Sequence, residues 1–143
     1  MKKAILFLSF FAFVFAFSVN VKAQKQIEPK IDRDPMLEAD AMHNLEVSRQ
    51  YFKLKKAYLA VKMRLEETIA ANPNFSRMDE VLYLLGMSNY YLSEGKGKQK
   101  VKDDKTRLRE DAVAYLAQMV EQYPQSEFKA PAEKTLKLLQ SKK

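Results

Sequence analysis

A single histidine, His43, stands in a chain that has no cysteine at all. As a general base it would need an orienting carboxylate, and Glu38 or Glu46 could supply one from adjacent turns of a helix. A metal would ask for more, since no second histidine and no thiolate is present to complete a site. Two pairs of adjacent acids, Glu66-Glu67 and Asp103-Asp104, have the composition of a glycoside-hydrolysing dyad. Neighbours on a helix point about 100° apart, however, so neither pair can face one substrate. No Gly-x-Ser-x-Gly elbow, phosphate-binding glycine loop or His-Glu-x-x-His motif occurs, and three glycines cannot supply such a loop plus the turns of a β-rich fold. The chain therefore reads as no enzyme, with no cofactor and no metal. His43 and Glu66-Glu67 are expected on solvated helix surface, and Asp103-Asp104 at a helix N-cap.

Charge is the more informative signal. The 143 residues carry a formal net charge of +7. Between 95 and 110 stand Lys96, Lys98, Lys100, Lys102, Lys105, Arg107 and Arg109 against Asp103, Asp104 and Glu110. Lys96, Lys98, Lys100 and Lys102 form a basic loop able to meet anionic lipid head groups or an acidic partner, each cation contributing about 1 kcal/mol near such a surface. The competing reading is an insertion that lysine merely keeps solvated. Nucleic acid is not expected as a partner, because no aromatics interleave the lysines.

Residues 1–23 have Lys2 and Lys3 ahead of an apolar run from Ala4 to Val19, then small residues around Val21-Lys22-Ala23. This is the layout of a cleaved secretory signal peptide. The run is short of the roughly 18–20 residues that span a bilayer, which disfavours a retained anchor. Export without cysteine implies a periplasmic protein, peripheral to the outer membrane at most and not a lipoprotein.

The elements behind these residues follow from periodicity. Residues 24–34 read as a flexible lead-in and 35–143 as one helical domain. Asp34-Pro35 gives an N-cap and a proline at the first helical position, and Leu37, Ala41, Leu45, Ser48 and Phe52 predict a helix over 35–53. Tyr58, Val61, Leu65 and Ile69 predict a second over 56–71, stopped by Asn72-Pro73. Ser76 and Asp79 resemble a capping box opening a third, which buries Val81, Leu82, Leu85, Ser88 and Leu92. After the irregular insertion 95–105, helices are expected over 104–123 and 129–141. No segment alternates with period two. The fold class is all-α.

The two helix-ending prolines expose a duplication. Four, eight and twelve residues before Pro73 lie Ile69, Leu65 and Val61; the same steps before Pro124 give Val120, Leu116 and Ala112. Eight and twelve residues after them lie Val81 and Leu85, then Ala132 and Leu136. The spacing exceeds one 34-residue helix–turn–helix unit, and the lysine-rich insertion accounts for most of the excess. Such units bury their open faces by stacking on one another. A tetratricopeptide-like stack of two αα-hairpins plus a C-terminal capping helix is the expected architecture.

Finer motifs narrow this. Residues 57–73, 82–92 and 111–126 resemble the repeats of the BamD family, the outer-membrane protein assembly lipoproteins also called YfiO. Ala57, Tyr58, Arg64, Leu65, Leu85, Gly86, Ala112, Tyr123, Pro124 and Ser126 stand where that pattern has them. Val61 in place of alanine and Asn72 in place of tyrosine depart from it, and so does the lack of cysteine. The resemblance implies a non-enzymatic, periplasmic protein-interaction module linked to outer-membrane protein assembly, with other envelope proteins, barrel-assembly subunits among them, as partners. A similar Tyr-Pro-x-Ser closure occurs in the repeats of the CpoB (YbgF) family, which leaves an envelope or cell-division scaffold as the alternative. In either case partners are expected on the concave face lined by the first helix of each hairpin, where Arg49, Lys53, Asn89 and Tyr90 are the candidate lining residues. The exposed face of the first helix is the candidate surface for a homodimer.

Overall fold

A computed structural model describes residues 33–99, 101 and 104–141. Residues 1–23, where a signal peptide is expected, and 24–32 of the expected lead-in lie outside the described residues, as do Lys100 and Lys102 of the basic loop. Five α-helices follow one another: α1 Pro35–Gln50, α2 Tyr58–Ala71, α3 Met78–Ser93, α4 Lys105–Gln122 and α5 Lys129–Ser141. Among the described residues there is no strand. Each helix packs mainly on the next in sequence, giving hairpins α1–α2 and α3–α4 with α5 laid against the second.

The helix starts show how local chemistry fixes the boundaries. Asp34 accepts hydrogen bonds from the Met36 and Leu37 N–H groups, and Asp104 accepts one from Thr106 N–H. Both satisfy donors that the first helical turn leaves free. The capping box expected at α3 does not form. Arg77 is the N-cap residue and makes no side-chain cap bond. The Ser76 N–H donates instead to Glu38 of α1, and Asp79 accepts from the Ser126 hydroxyl. Tertiary partners have outbid the local ones.

The far end of α1 also differs from expectation. Instead of stopping near residue 53, the helix widens into a π-helical turn, Tyr51–Lys55. Lys56 then closes it in the left-handed region at φ 50°, and the Ala57 N–H returns to the Tyr51 carbonyl at 3.1 Å. Glycine is the usual residue at such a helix-closing position, because a Cβ there costs about 1–2 kcal/mol.

The duplication is written in the backbone. Asn72 N–H bonds Thr68 O at 2.9 Å, Phe75 bonds Asn72 at 3.2 Å and Met78 bonds Phe75 at 3.2 Å. The equivalents 51 residues on are Tyr123 to Met119, Ser126 to Tyr123 and Lys129 to Ser126, at 2.9, 3.0 and 3.1 Å. Burial repeats as well. Val61, Leu65 and Val81 are buried, as are their counterparts Ala112, Leu116 and Ala132, while Ile69 and Val120 are both half-buried.

Helix α3 is the centre of the molecule. Its buried residues include Met78, Val81, Leu82, Leu84, Leu85, Met87 and Leu92, and none of its residues is fully exposed. Gly86 makes this possible on the α4 side. A Cβ there would stand 2.5 Å from Leu116 Cγ and 3.3 Å from the Ala112 carbonyl oxygen, so only glycine admits α4 this close. Fully buried Leu45, Leu65, Leu82, Leu85, Leu108 and Leu116 dominate the core, each contributing about 1.5–3 kcal/mol relative to exposure.

Candidate protein-binding surfaces

The first helices of the two hairpins meet through an ion cluster. Glu80 of α3, whose side chain is 8% exposed, receives both the Nε and Nη2 of Arg49 from α1, at 2.6 and 2.5 Å. Arg77 Nη2 donates to the same carboxylate at 2.8 Å and lies 3.7 Å from Glu127. The paired fork is the strongest geometry an arginine and a carboxylate can adopt. Its hydrogen bond to Glu80 raises the Arg49 pKa, against the opposing effect of burial. Beyond it Tyr83 stacks on Phe128 with ring centroids 4.9 Å apart. These contacts hold α1, α3 and the turn before α5 in one line.

The four residues expected on a shared concave face differ in how open they are to a partner. Arg49 is occupied by Glu80. Asn89 is fully buried, its amide nitrogen donating to the Leu85 carbonyl at 3.0 Å, so it lines no surface. The misreading has a physical cause: none of the residues of α3 is fully exposed, and a polar residue on it need not face water. Tyr90 is half-buried beneath the Lys96 ammonium, which lies 5.9 Å from its ring centroid. Lys53 is exposed on the π-helical turn. His43 is exposed on α1, and Glu66 pairs with Lys62 at 3.1 Å.

Periodicity missed another concave surface. An open cleft of about 680 Å³ lies where the end of α3, the start of α4 and the end of α5 converge. Val113, Ala114 and Leu139 contribute its apolar lining, with Lys105, Arg109 and Glu110 beside them. Arg109 Nη2 is buried with no hydrogen-bond partner among the described residues. Arg109, four residues before Val113, was the available signal, and in the sequence it stands inside the basic run 95–110.

Successive helical hairpins, a duplicated turn and an interhelical ion clamp define a helical-hairpin repeat fold. The family model described as YfiO, outer membrane lipoprotein, matches residues 20–142, and the chain belongs to that family. Comparison with curated proteins gave no match, nor did comparison with solved structures.

Proposed function

We propose that this chain is a non-enzymatic, periplasmic module of the BamD type that holds envelope proteins during outer-membrane protein assembly. The observation that carries the reading is the duplicated hairpin stack, coinciding with the family match over residues 20–142. The clamp at Glu80 keeps the stack stiff, and the cleft offers an apolar floor with the half-buried Arg109 beside it. Rigid presentation of a preformed cleft lowers the ordering cost of binding.

Co-purification from envelope extracts with tagged full-length protein tests this. Barrel-assembly subunits should be recovered with the wild type and lost with Ala114→Asp, on an exposed position of the cleft, while the thermal midpoint of that variant stays near the wild-type value. Recovery of peptidoglycan synthases or Tol components in their place would overturn the assembly role and support a CpoB-like scaffold.

A further inference from the structure

Two segments distant in sequence form one end of the molecule. The turn that ends α1 reads Tyr51-Phe52-Lys53-Leu54-Lys55-Lys56, and no acid occurs within it. The segment after α3 brings Lys96 and Lys98, with Glu94 as the acid of the stretch 94–99. They are fastened together. Lys98 N–H donates to the Lys56 carbonyl at 3.4 Å. Gly97, at φ 110°, lies so close to Tyr58 that a Cβ would stand 3.0 Å from its ring.

Beneath the lysines is an aromatic platform. Phe52, Tyr58 and Tyr91 lie within 4.8–5.8 Å of one another, centroid to centroid. Lys96 Nζ sits 5.3 Å from the Tyr91 ring and Lys55 Nζ sits 4.5 Å from the Tyr51 ring. At the apex, between Lys53 and Lys55, Leu54 is 79% exposed. A lone exposed leucine is unremarkable on a protein surface. Here it stands between two lysines, on a widened turn that carries Tyr51 and Phe52 and closes on a strained lysine where glycine would relax the backbone.

We propose that this end of the molecule docks on an anionic lipid surface, with Leu54 entering the head-group layer and Lys53, Lys55, Lys56, Lys96 and Lys98 meeting the phosphates. Cations supply the attraction, the leucine adds burial that salt does not screen, and tyrosines favour the interface between water and hydrocarbon. The Arg109 cleft adjoins the same end of α3, with Lys105 bordering both, but a vesicle free of protein reads the lipid contact alone. The proposal therefore stands or falls separately from the assembly role.

Sedimentation with protein-free vesicles tests it, using the protein recovered from the envelope and variants made in the same full chain. Wild type should bind phosphatidylethanolamine–phosphatidylglycerol vesicles more tightly than phosphatidylcholine vesicles, with affinity falling as salt rises. Lys53→Gln with Lys55→Gln should weaken binding about 25-fold, at about five-fold per cation. Leu54→Ser, which leaves the charge unchanged, should weaken it about ten-fold, with helical circular dichroism and thermal midpoint as in the wild type. Lys134→Gln with Lys137→Gln, which removes the same charge from α5, should leave binding as it was. Equal losses from the two lysine pairs would overturn the proposal in favour of net charge alone, and unchanged binding by Leu54→Ser would overturn it too. Binding confined to envelope vesicles, and abolished when their proteins are digested, would assign the tip to an acidic protein instead.

Discussion

At the scale of single residues, the fold rests on a few positions where chemistry leaves little choice. Gly86 is the sharpest. Alanine is the better helix former by about 1 kcal/mol, yet its methyl group would press on Leu116, which is fully buried and has nowhere to move. Overpacking of this kind costs about 1–3 kcal/mol. Gly86→Ala should therefore lower stability by about 1 kcal/mol or more, read as a lower urea midpoint with the slope preserved. A midpoint at or above the wild type would show that α4 can retreat. Glu80 shows the converse. Its carboxylate is enclosed but fully partnered by Arg49 and Arg77, so it costs little to bury and fixes how α1 meets α3.

At the scale of elements, the helices and their order were legible because each buried stripe recurs at three and four residues and each second helix ends at a proline. Asp34 and Asp104 could be recognised as caps because their partners lie two or three residues away. Ser76 and Asp79 could not be judged that way, since Glu38 and Ser126, the groups that engage them, lie 38 and 47 residues off in sequence. The π-helical turn and the left-handed Lys56 were likewise invisible. Nothing in Tyr51–Lys55 departs from an ordinary helix until α3 and the insertion pack beside it. The candidate site fared worse than the fold, because a one-residue rotation decides whether a residue such as Asn89 faces a groove or the core. Helix α3 carries the element-scale expectation. With none of its residues fully exposed, it should open only with global unfolding, whereas α5, whose Lys134, Lys137 and Leu138 face water, should open alone. Hydrogen exchange should show the slowest amides in α3 and markedly faster ones in α5. Equal protection of the two would contradict this picture.

At the scale of the whole molecule, tyrosines couple the stack to pH. Burial pushes the hydroxyls of Tyr58, Tyr83, Tyr115 and Tyr123 above their ordinary value of 10.0; Tyr115 is raised further by Glu66 and Asp111, and Tyr123 by Asp79. Above that value the unfolded chain releases these protons while the folded chain keeps them. The unfolded state then binds fewer protons, and stability falls as pH rises. Urea midpoints should hold up to about pH 10 and drop beyond it, with tyrosinate absorbance lagging until the protein unfolds. The turn that recurs 51 residues on has a consequence of its own. Its two copies repeat the same backbone hydrogen bonds, so a block cut at one and rejoined at the other meets the same backbone geometry at both seams. Splicing in a second such block would lengthen the scaffold by one helical pair without asking any existing contact to change.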